Sequence, residues 1–196
     1  MKVDIYDFDK TIIPFDSGSH FCVWSFFHYP WIIVFAPYAA YGLVRYGLIG
    51  RNVAKMKNYA FRFIGAIPLE KAVSKFWNRY EKKVFAWYKN RSRENKLVVI
   101  SASPDFLLQD IAKRLEFDTL ICTRHNRKTG AIIGENCRSE EKVRRFRELF
   151  PDAEVREVRS DSYRHDKYIF SLGERCFHVE KDGSLTEFDY AEKYKE

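Results

Sequence analysis

The segment Val3-Asp4-Ile5-Tyr6-Asp7-Phe8-Asp9-Lys10-Thr11 constrains this chain more than any other. A short β-prone run delivers two carboxylates with a single residue between them, then a hydroxyl. Side chains alternate along an extended strand, so Asp7 and Asp9 point the same way if the strand continues through them. Two like charges held that close are unfavourable unless a cation lies between them or one takes a proton. A hard divalent ion such as Mg2+, which prefers oxygen ligands, resolves the conflict. With a phosphate on the same ion, one carboxylate becomes a nucleophile and the other a proton donor and acceptor. An acidic surface turn would carry the same residues, so the rest of the chain has to decide.

With 196 residues, the chain has room for one substantial domain and a smaller one. A net charge of +7 favours anionic partners such as phosphorylated metabolites or an acidic membrane surface. The basic residues are scattered and form no recognised nucleic-acid motif, so no nucleic-acid partner is expected. Cys22, Cys122, Cys137 and Cys176 are far apart and form no CxxC pair, which speaks against a zinc site and suits a reducing cytosol. Residues 1–16 are strand-like and acidic, unlike a signal peptide. The expected location is cytoplasmic, with association at the inner face of a membrane as an open alternative.

Asp16 or Ser17 is placed to cap a helix beginning near His20. Residues 21–44 contain no Asp, Glu, Lys or Arg, and they nearly reach the length that crosses a bilayer. Pro30 and Pro37 favour two shorter helices with a bend. A single crossing would leave Asp7 on one side and the later motifs on the other. Two readings stay open: a bent segment touching the membrane interface, or a buried helical cap packing its own apolar faces. Aromatic content and the basic flank of Arg45, Arg51, Lys55, Lys57 and Arg62 support the first. Residues 51–93 read as two amphipathic helices broken around Gly65-Ala66-Ile67-Pro68. The stripe Val73, Phe76, Trp77, Tyr80, Val84 and Trp87 (or Tyr88) is read as core.

Leu97-Val98-Val99-Ile100 is a continuous apolar run, as expected of a strand buried on both faces of a parallel sheet. It runs into Ser101-Ala102-Ser103-Pro104-Asp105 and a helix over residues 106–115, a strand–turn–helix passage suited to cradling phosphate. A strand over 118–122, a turn at 127–130 and a return over 131–133 predict a β-hairpin. Ser139 is expected to cap a helix that carries Lys142 in its first turn and presents Arg144, Arg145 and Arg147 to solvent. A strand over 154–158 then leads to Asp161 and Asp166 at its C-terminal end, where open α/β sheets place ligands. His165, set among charged residues, is read as solvent-facing, and after a last strand over 176–179 the chain ends in a polar tail.

Four stations therefore stand in order at strand ends: Asp7/Asp9/Thr11, Ser101, Lys142 and Asp161/Asp166. Over its whole length the chain resembles the haloacid dehalogenase (HAD) superfamily. DFDKT fits the D-x-D-x-T motif, ISAS the strand-ending Ser/Thr motif, Lys142 the third motif, and Asp161 to Asp166 the spaced acidic pair. The stretch through residues 134–145 looks closest to the phosphoserine phosphatase-like branch, which inserts a helical cap between the first two motifs. The resemblance implies an α/β fold, a doubly wound Rossmann-like parallel sheet formed by residues 1–16 and 92–196, with an all-helical cap at 17–91. It implies a phosphatase with Asp7 as nucleophile forming an aspartyl-phosphate, Asp9 as acid and base, and Lys142 offsetting charge. Thr11 would steady the loop and Ser101 bind a phosphate oxygen. Mg2+ would be held by Asp7, Asp9 (through its carbonyl) and Asp161, with Asp166 orienting the metal shell. Asp16 lies where phosphoserine phosphatases carry a Glu that holds the substrate amine, though helix capping explains it as well. Lys10, Ser160 and Lys167-Tyr168 depart from the family pattern without removing a reacting group. The apolar cap resembles those of members acting on lipid phosphates, so the expected substrate is a lipid phosphate or other amphiphile. A soluble phosphometabolite such as phosphoserine is the alternative, and a silent membrane-surface module the alternative of another class.

Overall fold

The structure is a computed structural model that describes residues 1–50 and 52–195; Arg51 of the basic flank lies outside the described residues. The first strand, β1 (Lys2–Tyr6), is followed by a helical region: α1 (Ser17–His28), a 3-10 stretch Pro30–Phe35, α2 (Ala36–Leu48), α3 (Val53–Ala60), a 3-10 stretch Arg62–Ala66, α4 (Leu69–Tyr80) and α5 (Ala86–Lys89). The chain then returns to the sheet through β2 (Lys96–Pro104), α6 (Asp105–Arg114), β3 (Thr119–Thr123), α7 (Glu140–Leu149), β4 (Glu154–Ser160), α8 (Lys167–Phe170) and β5 (Gly173–Val179). It closes with β6 (Leu185–Phe188) and α9 (Tyr190–Lys193), where the sequence suggested only a polar tail.

The six strands lie in the order β3-β2-β1-β4-β5-β6, all neighbours parallel except the β5–β6 pair. Strand β1 is central, with β2 and β3 on one side and β4 and β5 on the other. The strand order reverses beside it, so the crevice at its C-terminal end is where such sheets bind ligands. The period-2 alternation that makes β2 read as a continuous apolar run is visible in its packing. Leu97 and Val99 join the core shared with the helical region, whereas Val98 and Ile100 pack on the opposite face with Val3, Ile5, Phe146 and Ile169.

The inserted helices hold to the core through large aromatics. Trp77 is fully buried and its indole N–H donates to the Leu107 carbonyl at 2.7 Å, tying α4 to α6. Truncating a side chain buried in this way costs about 3–5 kcal/mol. Gly130 (φ +73°) gives a second joint: a Cβ there would sit 2.0 Å from the Phe61 carbonyl oxygen, so only glycine lets the two backbones meet.

Four local expectations are corrected. Helix α4 stops at Tyr80, so Val84 lies in the turn after it and Trp87 in the separate helix α5, although Val84 is still buried. The expected hairpin keeps its turn but is reduced to one antiparallel bridge, His125 with Ile132, lying past the end of β3 at Thr123, with the Ile133 N–H donating to the Arg124 carbonyl at 2.8 Å. Ser139 sits at the start of α7 with φ +54° and makes no side-chain capping bond; the helix N-terminus carries Glu140 and Glu141 instead. Arg145 is not a solvated side chain: it is half-buried and donates to Glu141 and to the carbonyls of Cys122 and Glu135.

His125 sits buried between the rings of Phe61 and Phe106, and burial pushes it down to about 4. A histidine whose folded-state value is depressed favours folding above the ordinary value of about 6.5, and that contribution is lost as pH falls toward 4. The expected loss over that interval is about 3 kcal/mol. Urea unfolding from pH 7 to pH 4 should show it, and His125→Phe should flatten that part of the profile.

Candidate active site

Strand β1 ends at Tyr6, one residue before the first carboxylate. The Asp7 N–H still donates to the Arg159 carbonyl at 2.9 Å, so Asp7 is the last residue locked to the sheet. The chain then folds over itself, with Ile12 N–H returning to the Phe8 carbonyl at 2.9 Å and Phe8 buried against Trp77 and Phe117. Lys10 takes φ +57°, the left-handed conformation in which glycine is strain-free, which accounts for glycine being frequent at this position in the resembling family. Because the strand stops, Asp7 and Asp9 serve different partners rather than sharing one extended face.

Asp7 meets Lys142, whose Nζ lies 2.6 Å from Asp7 Oδ1 and 2.7 Å from Asp166 Oδ1, all three side chains being buried. Helix α7 supplies Lys142 from its first turn and the loop after β4 supplies Asp166. Asp166 also accepts from the Ser160 hydroxyl, so the serine that departs from the family pattern has a bonding role. Asp166 thus positions Lys142 directly. Asp161 is half-buried, and its N–H donates to Thr11 Oγ1 at 3.0 Å, joining the first loop to the last.

Asp9 accepts from the Ser17 N–H at 2.8 Å and from the Ser103 hydroxyl. Ser101 is buried, and its Oγ accepts the Ser103 N–H at 3.1 Å. The pairing of β2 with β3 shifts register between Ser101 and Pro104, and this irregularity turns the two serines into the site. Asp16 is spent on capping α1 through the Ser19 N–H at 2.7 Å. His165 is half-buried near the acidic loop.

Three partners escaped the sequence reading: Ser17, Ser103 and Lys57. Ser103 had a signal, being the second serine of Ser101-Ala102-Ser103. Lys57 had none beyond its place in the basic flank. From α3 its Nζ reaches the Ala102 carbonyl at 2.6 Å and Asn136 Oδ1 at 3.0 Å, bringing a cation from the helical region to the serine turn. Burial lowers it to about 8, against the raising influence of Asp9 and Asp16.

The electrostatics are lopsided. Burial, reinforced by Asp166, pushes the Asp7 carboxyl well above the usual range despite Lys142. Burial and Asp166 also raise Asp161, while burial and Asp16 bring Asp9 up to about 6. Lys142 is disfavoured by burial, but Asp166 and Asp7 outweigh this and hold it protonated. Lys142 bonds Asp7 and Asp166, and Lys10 and Lys142 both act to lower Asp161, yet Asp7 and Asp161 stay raised, so a further cation would relieve the excess of carboxylate. A carboxylate-rich, sulfur-free donor set suits a hard ion such as Mg2+. Among the described residues no three His, Cys, Asp or Glu side chains form a ready-made cage. The expected set of Asp7, Asp161 and the Asp9 carbonyl does not require one.

A family model described as haloacid dehalogenase-like hydrolase matches residues 5–187. The chain belongs to this family. Protein CicA of Caulobacter vibrioides is 30% identical to this hydrolase, the match covering 89% of this chain and 84% of the relative. Among solved structures, a protein of unknown function from Bordetella pertussis Tohama I superposes with a TM-score of 0.66 at 17% identity, over 82% of each chain. A phosphoserine phosphatase solved as a phospho-aspartyl intermediate analogue superposes with a TM-score of 0.58 at 16% identity, over 89% of this hydrolase and 84% of that chain. The fold is thus close to that of phosphoserine phosphatase-like proteins.

Proposed function

We propose that this hydrolase is a Mg2+-dependent phosphomonoesterase that works through an aspartyl-phosphate on Asp7, on a phosphate ester with an apolar end such as a lipid phosphate. The observation that carries the reading is the buried Lys142 between Asp7 and Asp166, beside an Asp9 poised at about 6. A carboxylate held against an ammonium is available as a nucleophile, and a carboxyl poised near neutrality exchanges protons readily.

Asp7 Oδ attacks phosphorus while the ester oxygen departs, taking the proton from the Asp9 carboxyl. Water, giving its proton to Asp9, then attacks the same phosphorus. The bond to Asp7 breaks, inorganic phosphate leaves, and both carboxyls return to their starting states. Ser101, whose Oγ already accepts the Ser103 N–H, keeps its O–H free to donate to a phosphate oxygen. Lys142 offsets the negative charge gathered on Asp7 and the phosphoryl oxygens. Asp7, Asp161 and the Asp9 carbonyl would hold Mg2+, which when bound supplies positive charge for the phosphate. Ser17 and Ser103 orient Asp9.

For the substrate, the apolar and aromatic helical region supports an amphiphile. A soluble ester such as phosphoserine is the second reading, supported by the structural likeness to a phosphoserine phosphatase. Asp16 lends it little, since its carboxylate is engaged in capping α1. The test is phosphate release from soluble and lipid phosphomonoesters. Turnover is expected to vanish with EDTA and return with Mg2+, and kcat/KM should favour the amphiphile at least tenfold. A preference for phosphoserine would replace the lipid reading. No metal-dependent turnover on any ester would point instead to a binding role.

A further inference from the structure

Helices α1 and α2 and the turn between them leave large apolar side chains uncovered: Phe27, Ile33, Val34, Leu43, Leu48 and Ile49 are each more than half exposed. Leu48 and Phe27 exceed 80% exposure. Apolar surface collected on one helix pair in this way marks an interaction site. Its charge says with what. From Ser17 to Leu69 the sequence contains no Asp or Glu at all, but does contain Arg45, Lys55, Lys57 and Arg62.

Three of these cations, all but Lys57, are gathered with Lys128. A cavity of about 700 Å³ opens between α2, α3 and the turn carrying Lys128, and Arg45, Lys55, Arg62 and Lys128 line it with no carboxylate among the lining residues. Arg62 lies over the ring of Tyr38 at 4.5 Å and Arg45 donates to the Tyr41 hydroxyl at 3.4 Å. Both tyrosines are partly exposed on α2. This surface therefore carries exposed aliphatic side chains, tyrosines and arginines together. A bilayer offers a partner to each of the three, in its acyl boundary, its headgroup level and its anionic charge.

We propose that this face docks on an anionic lipid bilayer, with α2 lying in the interface and the Arg45/Lys55/Arg62/Lys128 cavity receiving a lipid headgroup phosphate. The docking is peripheral: among the described residues no helix is long and apolar enough to cross a membrane, and α2 spans 13 residues, about 20 Å. An acid-free face with four cations in one cavity suits a phosphate-bearing surface better than a second, equally basic copy of the chain. Docking names a partner for the helical region and does not depend on the reaction, so its test reads binding without turnover.

The experiment is flotation with vesicles of phosphatidylcholine alone and of phosphatidylcholine mixed with phosphatidylglycerol, at low and high salt. Binding is expected to the mixed vesicles, at least tenfold weaker to the neutral ones, and reduced by salt. Leu48→Glu should abolish it. Arg45→Gln with Arg62→Gln should weaken it roughly 25-fold, at about fivefold per charge. In both variants, turnover of a soluble ester and the melting temperature should match the wild type. No flotation with anionic vesicles, or flotation untouched by both variants, would overturn the docking. So would a concentration-dependent dimer in ultracentrifugation that Leu48→Glu dissolves, since the face would then belong to a second copy.

Discussion

Asp7→Asn is expected to reduce Mg2+-dependent phosphate release by roughly 10³-fold or more while leaving the protein folded. The amide is nearly isosteric with the carboxylate but is neutral and a poor nucleophile, so the phosphoryl group has nowhere to transfer. Folding should survive because Lys142 keeps its 2.7 Å contact with Asp166, and because burial makes charged Asp7 costly in the wild type. The check pairs phosphate release with acid quenching in the presence of substrate labelled at phosphorus. Wild type should carry label on the protein and the variant none, with melting temperatures within a few degrees. Label retained by the variant would move the nucleophile away from Asp7.

The second large effect is on stability. In Lys142→Met the side-chain volume is kept, but Asp7 and Asp166 are left as buried carboxylates without their ammonium. Breaking a buried pair in this way costs about 3–5 kcal/mol. In a chain of this size that amounts to a melting temperature lower by roughly 10 °C or more. The pH dependence identifies the cause. A carboxyl whose folded-state value is raised destabilises the fold above its unfolded value of about 4, and that penalty fades as pH falls and the carboxyl takes its proton. The deficit relative to wild type should therefore be greatest near pH 7 and shrink toward pH 4. A deficit independent of pH would mean that packing alone was lost. Activity should fall with the charge, and Lys142→Arg should recover more stability than activity.

Much of the site was legible because its signals are local. A strand followed by D-x-D-x-T, a strand ending in serines, a lysine in the first turn of a helix and a spaced acidic pair each need only a few neighbouring residues. Alternation of side chains told that β2 is buried on both faces, since Leu97 and Val98 must then both be apolar. The same local logic failed where geometry is imposed from a distance. Nothing near Ser139 announces that its backbone will take φ +54° and lose its capping geometry. Helical spacing continues past Tyr80 on paper, but Phe85 N–H is held by the Ile12 carbonyl at 3.0 Å, and the helix has already ended.

By itself, then, the sequence determined the order of the chemical groups, the parallel sheet that brings their strand ends together, and the acid-free, apolar character of residues 17–69. Backbone periodicity and side-chain chemistry are properties of neighbours, so they can be read in one dimension. Only the tertiary structure decided that Ser103 and Ser17 hold Asp9, that Lys57 reaches Ala102 and Asn136, and that Asp16 is occupied by its own helix. It alone left Leu48 and Phe27 in solvent while burying Phe21 and Trp24 from the same apolar stretch. Ser103 and Asp9 are 94 residues apart and Lys57 and Asn136 are 79 apart; such pairs meet only where packing closes the intervening chain, and composition does not say which apolar face packing will leave uncovered.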